Sequence, residues 1–251
     1  MAEVESTAGA HIAGECVVEA RGLRKSYFRA GRTQGRNFDA VATCDLALSP
    51  GQLVACMGRS GSGKTTLLTM LAGLLAPSEG TVRLAGQDLY ALPDEQLSRL
   101  RNERVGVVPQ GQTVLHTLTA LQNVMLPCGL WRRGDVGPGP ADFQTRAEGL
   151  MGRLGIDELA NAYPEELSGG ELRRVAIARS LIMGPAVVFA DEPTSDLDDQ
   201  STSQVLGLLR EVADAGASVF VVSHESEVTD WADRVVHMDA GVLRDGTDGT
   251  E

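Results

Sequence analysis

Short apolar runs, punctuated by glycine and proline, set the rhythm of the chain. Residues 16–20 and 40–48 read as strands, the second from its alternation of apolar and polar positions. Between them, residues 29–37 are basic and glycine-bearing, as in the loop of a hairpin. Pro50-Gly51 marks a turn, and residues 53–57 form an apolar strand with glycines directly after it. Residues 65–75 place Leu67, Leu68, Leu71 and Leu75 on roughly one face, the period of a helix. A strand at 81–84 ends before Gly86, and a helix at 93–102 starts with Pro93 in its first turn. The strand at 105–108 stops at Pro109, because proline forces the residue before it into an extended state.

From residue 112 to 164 the β signals vanish. Residues 117–125 and 143–154 read as helices, and 127–140, rich in Gly and Pro, as the loop joining them. Strands return at 186–190 and 218–222 with a helix at 200–214 between them. That order predicts a parallel sheet covered by helices. Residues 234–243 read as two short strands around a turn at Asp239-Ala240-Gly241. The expected organisation is one α/β domain over 16–246. It has a mostly parallel core sheet, an N-terminal antiparallel β part and a helical insert over about 112–182, with loose tails at 1–15 and 247–251.

Composition narrows the class. At 251 residues the chain can bury roughly 70% of its unfolded surface without disulfide staples. The 43% apolar and 22% charged residues are ordinary for a globular protein. Twenty-two basic against 34 acidic side chains give a net charge of −12, which argues against binding along a nucleic-acid backbone. Aromatics at 4% argue against a stacking platform for single strands. Cys16, Cys44, Cys56 and Cys128 are too widely spaced for a metal knuckle or redox pair and suit reduced thiols in a cytosolic protein. Residues 1–15 lack a basic segment followed by an apolar one, so no secretory signal is expected. The longest apolar stretch, about 180–190, is broken by Gly184-Pro185, so any membrane-spanning part should be on another chain.

The strongest local signal is Gly58-Arg59-Ser60-Gly61-Ser62-Gly63-Lys64-Thr65, which fits G-x-x-x-x-G-K-[ST] at every fixed position, between a strand and a helix. Glycines let successive backbone N–H groups wrap phosphate oxygens, and the following helix adds partial positive charge. Lys64 would reach the β- and γ-phosphates and Thr65 would bind Mg²⁺, with Thr66 also against the nucleotide. A second signal is the apolar run that ends in Asp191-Glu192. At the C-terminal end of a parallel strand, Asp191 would face the Mg²⁺ and Glu192 would polarise an attacking water next to the γ-phosphate. That pair favours an ATPase over a kinase or GTPase.

Leu167-Ser168-Gly169-Gly170-Glu171 opens a helix running to about Arg179, with Ser168 and Glu171 at capping-box spacing. Two glycines in a first turn cost helix stability, about 0.8–1 kcal/mol each by interior values, which suggests a close approach of an anion to the backbone. This segment, about 20 residues before the Asp-Glu strand end, resembles the signature of the ATP-binding cassette (ABC) ATPases, and the resemblance extends over about 17–246. It implies the P-loop NTPase fold of an ABC cassette. It further implies that Tyr27 in Lys25-Ser26-Tyr27 stacks on adenine, that Gln110 touches Mg²⁺ and the reacting water, that Ser195-Asp196-Leu197-Asp198 forms the loop between cassettes, and that His224 contacts the γ-phosphate.

The resemblance also implies a working unit of two cassettes, identical or related, facing head to tail. Each ATP would lie between one phosphate loop and the partner's Ser168, Gly169, Gly170 and Glu171, with Asp198 nearby, and closure would be passed to membrane subunits. Residues 101–110, 118–127 and 190–194 are similar to the lipoprotein-releasing and macrolide-exporter group. The expected function is therefore an ATPase subunit at the inner face of the membrane that powers a separate permease handling lipoproteins, peptides or drugs. The alternatives are a permease-linked regulator of cell-wall or cell-division processes and a soluble ABC ATPase. The sequence departs from the family at Glu171, where glutamine is usual, at Pro109, where this group commonly has an aromatic, at Asp196, and in the long 29–37 loop.

Overall fold

A computed structural model describes residues 16–29, 36–111, 113–130 and 140–246. The expected tails, the tip of the 29–37 loop and most of the 127–140 loop lie outside the described residues. A long hairpin opens the fold: β1 (Val18–Arg29) pairs antiparallel with β2 (Arg36–Leu48). β4 (Glu79–Leu84) and β5 (Gln87–Asp88) complete a four-stranded antiparallel sheet in the order β2-β1-β4-β5.

The second sheet has six strands: β6 (Val105–Val108), β7 (Val187–Asp191), β8 (Ser218–Ser223), β3 (Leu53–Met57), β9 (Arg234–Asp239) and β10 (Val242–Asp245), in that spatial order. Five run parallel and only β10 returns antiparallel. β3, β7 and β8 are buried at every position, the mark of central strands covered on both faces. Alternation therefore survives inside them as a choice of core. Leu53, Ala55 and Met57 of β3 join one apolar cluster, while Val54 and Cys56 join the other.

Helices fill the two layers. α1 (Lys64–Leu71) packs between the two sheets, and α2 (Asp94–Arg104) leads into β6. α3 (Ala120–Gly129), α4 (Pro140–Arg153) and α5 (Gly169–Leu181) pack on one another, and α6 (Asp199–Asp214) crosses from β7 to β8. Among the described residues, no strand lies between β6 and β7.

Several boundaries differ from the sequence reading. β1 continues to Arg29 through register shifts between Ala20 and Ser26, which short-range alternation cannot reveal. α1 stops at Leu71 rather than at residue 75, because Gly73 turns left-handed at φ +70 and Leu74 and Leu75 both donate back to Thr69. α3 starts at Ala120, where Thr119 and Gln122 form a capping box, and runs through Pro127 to Gly129. Proline removes one backbone hydrogen bond there, and the helix ends two residues later.

Candidate nucleotide site

Strand register brings the distant motifs to one edge of the sheet. Met57 pairs with Ser223, Asp191 with Val222, and Val108 with Ala190. The C-terminal ends of β3, β7, β8 and β6 are therefore level, and the residues that follow them converge: Gly58, Glu192, His224 and Gln110. This is the end of a parallel sheet at which ligands bind.

The phosphate loop is held by its surroundings. A Cβ on Gly58 would lie 2.2 Å from the Met238 carbonyl oxygen, and one on Gly63 would lie 2.1 Å from that of Ala40. Gly63 also sits at φ +107, so only glycine fits. The β9–β10 turn braces the loop from outside: Gly241 N–H donates to the Ser62 carbonyl at 2.8 Å, and the Gly241 carbonyl accepts from Ala42 at 2.8 Å. Lys64 is buried, its Nζ donating to the carbonyls of Gly58 at 2.6 Å and Arg59 at 3.0 Å.

Asp191 and Glu192 are also buried, only 3% and 6% exposed. Burial raises the Asp191 pKa, opposed by the Thr65 hydroxyl, Lys64 and Arg173, while the neighbouring Glu192 charge adds to the rise. Glu192 is held at φ +50, outside the regions a side-chain-bearing residue prefers, with its N–H donating to the Val222 carbonyl at 2.8 Å. His224 Nδ1 lies 2.9 Å from both Glu192 carboxylate oxygens. The hydrogen bond to Glu192 and the charge of Glu192 raise the His224 pKa.

Ser60 through Thr66, Gln110, Asp191 and Glu192 line one open cleft of about 430 Å³. The sequence reading missed Phe38, Asp39, Ala40, Ala240 and Gly241, which also line it. Gly58 and Arg59 meet Lys64 rather than the cleft wall. Tyr27 is not among the lining residues. It pairs across the hairpin with Phe38, ring centroids 5.9 Å apart, and Phe38 forms the wall. Only the register of β1 against β2 connects those two rings.

The second motif stands apart from this cleft. Ser168 caps α5, and its N–H and Oγ both donate to Glu171 Oε2, at 2.7 and 2.8 Å, while Glu171 N–H donates to Ser168 Oγ at 3.3 Å. The backbone hydrogen bond from Ser168, then that from its hydroxyl, lower the Glu171 pKa. Asp198 caps α6 by accepting from Ser201 N–H at 2.7 Å. Ser168, Gly169, Gly170, Glu171 and Asp198 do not line the cleft that holds Lys64.

The cleft suits a polyphosphate. Its loop contains a buried Ser62 Oγ with no hydrogen-bond partner among the described residues. The first N–H groups of α1 have no partner within the helix and open onto the same loop. No group of three His, Cys, Asp or Glu among the described residues could bind a metal alone. Thr65 and Asp191, whose side chains are hydrogen-bonded to each other, offer two oxygens that fit an ion like Mg²⁺, which takes one or two protein oxygens and completes its shell with phosphates and water.

A phosphate loop after one parallel strand and an acidic pair ending another two strands away define a P-loop NTPase. The chain belongs to the ABC transporter ATP-binding family: the family model described as ABC transporter matches residues 41–195. It is 38% identical over 230 residues to the macrolide export ATP-binding/permease protein MacB of Nitrosomonas europaea, covering 92% of this chain and 33% of that protein. The chain thus spans about a third of the length of the curated relatives it matches. Among solved structures, it resembles the dimeric structure of MJ0796, a bacterial ABC transporter cassette, with a TM-score of 0.83 at 31% identity, covering 90% of this chain and 96% of that one. It also resembles the dimeric post-hydrolysis state of that cassette bound to ADP and Pi, with a TM-score of 0.82 at 32% identity, again covering 90% and 96%. The chain is an ATP-binding and ATP-hydrolysing subunit of the ABC type. Among its described residues, no helix is long and apolar enough to cross a membrane.

Proposed function

We propose that this chain drives a membrane permease by ATP-dependent closure of two cassettes, in an export or cell-envelope system handling lipoproteins, peptides or drugs. One observation carries the reading: the cleft holding Lys64 and Glu192 does not include the capped start of α5, so each chain has two separate half-sites. A head-to-tail pair brings a phosphate loop against the partner's Ser168, Gly169, Gly170 and Glu171. The dimeric cassettes it resembles support that pairing. The name of its relatives, which joins ATP binding to a permease, supports the membrane partner. In this reading residues 112–182 are the helical arm that transmits closure, and the chain works at the inner face of the membrane.

Lys64 and the N–H groups of the phosphate loop bind the β- and γ-phosphates, and the Tyr27–Phe38 pair makes the shelf for adenine. Thr65, Asp191 and Gln110 would hold Mg²⁺, which when bound offsets negative charge on the phosphate oxygens. Glu192 polarises the attacking water. His224 now lies on both Glu192 oxygens, and in this reading its N–H turns to the γ-phosphate when nucleotide binds, which leaves the carboxylate free for that work. Ser168 has the same task at the other half-site: its hydroxyl must leave Glu171 to donate to the partner's nucleotide.

Tagged Glu192→Gln protein, used as bait in detergent-solubilised membranes with ATP and Mg²⁺, should copurify a permease with a large extracytoplasmic domain. Recovery of soluble partners alone, from membranes in which other complexes survive, would sink this reading.

A further inference from the structure

Gln110 enters the cleft from the chain that leaves β6, and that chain is tied to α5. Arg173 Nη1 donates to the Pro109 carbonyl at 3.2 Å and its Nη2 to the Gln110 carbonyl at 2.9 Å. Six residues on, Arg179 donates to the carbonyl of Thr113 at 2.8 Å and to its hydroxyl. Two arginines of one helix thus fasten the chain on both sides of residue 111. A guanidinium is planar, always charged and forked, so it can span two successive carbonyls in fixed geometry. Lysine can reach two successive carbonyls, as Lys64 does at Gly58 and Arg59, but from a single ammonium on a flexible stem and without the rigid fork.

The same helix is tied to the first turn of α6 by its neighbour, Arg174, whose Nη1 donates to Ser201 Oγ at 2.9 Å. Ser201 also donates its N–H to Asp198. The start of α5 is therefore strapped to the chain at Gln110 on one side and to the cap of α6 on the other.

We propose that Arg173 is the positioning residue for Gln110: its fork fixes the backbone from which that side chain enters the cleft, and joins the cleft to the helix that Ser168 opens. The inference rests on the role given to Gln110 above. Because the strap ends on carbonyls and not on the nucleotide, its loss should misplace Gln110 while leaving the phosphate loop intact. Turnover should fall and ATP affinity should not.

The test is a double-mutant cycle on the purified full chain, comparing wild type, Arg173→Lys, Gln110→Ala and the pair. Three readouts are taken: steady-state ATPase across ATP and Mg²⁺ concentrations, affinity for a fluorescent ATP analogue, and the thermal midpoint. Arg173→Lys should lower kcat about five- to tenfold, with KM and analogue affinity within about twofold of wild type. It should cost nothing further once Gln110 is alanine. A wild-type kcat for Arg173→Lys overturns the strap, as does a KM or affinity that worsens in step with kcat. A loss that persists undiminished in the Gln110→Ala background overturns the strap alone. Wild-type turnover for Gln110→Ala by itself instead sinks the reading of Gln110, on which the strap depends. If the lysine variant fails to fold, Arg173→Gln, which keeps a single donor group, takes its place in the cycle, and the same results support or overturn the strap.

Discussion

The phosphate loop and the start of α5 are both glycine-bearing segments that open a helix, and they differ in who needs the glycine. In the phosphate loop the chain itself does. Carbonyls of Met238 and Ala40 stand 2.2 and 2.1 Å from where Cβ atoms of Gly58 and Gly63 would be, and Gly63 has a left-handed φ. At Gly170 a Cβ would meet only the end of the Leu197 side chain, at 3.1 Å, and beyond it the Asp196 carbonyl at 3.9 Å. No backbone presses there, and the N-cap is satisfied by Ser168 and Glu171 within the chain. Packing within the chain does not demand glycine at Gly170, which leaves room there for the partner's nucleotide in the proposed pairing. The phosphate loop is explained by one cassette, whereas the start of α5 is explained by the two-cassette pairing proposed above.

The largest expected effect separates these regions by what each binds. Lys64→Ala should weaken ATP binding to the single chain by about a hundredfold or more, because it removes a charged donor from a buried phosphate contact. Ser168→Arg should leave single-chain binding near wild type and stop turnover only in the assembled pair. Fluorescent-nucleotide titration and ATPase on both variants measure the difference. A Ser168→Arg chain that loses nucleotide alone, or that turns over normally when assembled, breaks the comparison.

Catalysis comes next. Glu192→Gln should cut turnover about 10²–10⁴-fold, the range for losing a general base, and still bind ATP. Because hydrolysis then no longer opens the pair, size-exclusion chromatography should show a dimer with ATP and Mg²⁺ and a monomer with ADP. Wild-type turnover in this variant would remove Glu192 from the chemistry.

The glycines themselves give a smaller, purely structural contrast. Gly63→Ala combines a disfavoured φ with a clash against backbone, and should lower the thermal midpoint by about 5–10 °C. Gly170→Ala, at a helical first turn beside a flexible side chain, should move it by about 2 °C or less. Equal shifts would mean that α5 needs its glycine for folding, and Gly170 would no longer point to an outside partner.

Legibility followed distance along the chain. Gly58 to Thr65 could be read because strand, loop and helix are consecutive, and Asp191-Glu192 because an apolar run ends there. The brace on the loop could not: Gly241 donates to Ser62 from the far end of the chain, and nothing near Gly241 beyond its turn signals this. Phe38 was missed because its place opposite Tyr27 depends on a hairpin with three register shifts. The fork of Arg173 onto Pro109 and Gln110 is a contact between segments that each read well alone, while their meeting is a property of the packed helix layer. Roles for Tyr27, Gln110 and His224 came from the family resemblance rather than from the residues.

The smallest effect contrasts the two carboxylates by pH. Glu192 is held by His224, whose pKa lies above the ordinary 6.5. A raised pKa in the folded state means the contact stabilises fully below about pH 6.5 and fades as pH rises through the folded value. Glu171 is held by Ser168 donors, and its pKa lies below the ordinary 4.5. Its contribution is present above about pH 4.5 and fades as pH falls through the folded value. In nucleotide-free protein, His224→Ala should therefore lower the thermal midpoint more at pH 6 than at pH 9. Glu171→Gln should lower it at pH 6 and approach wild type as the pH is taken below 4.5. His224 is largely exposed, so solvent screening should limit its shift to about a degree or two. The sign is what matters, because the two half-sites answer pH in opposite directions only if His224 holds Glu192 and Ser168 holds Glu171. A His224→Ala shift that grows toward pH 9 would mean that Glu192 is held by something else, and that the imidazole does not have to be displaced before the carboxylate can work.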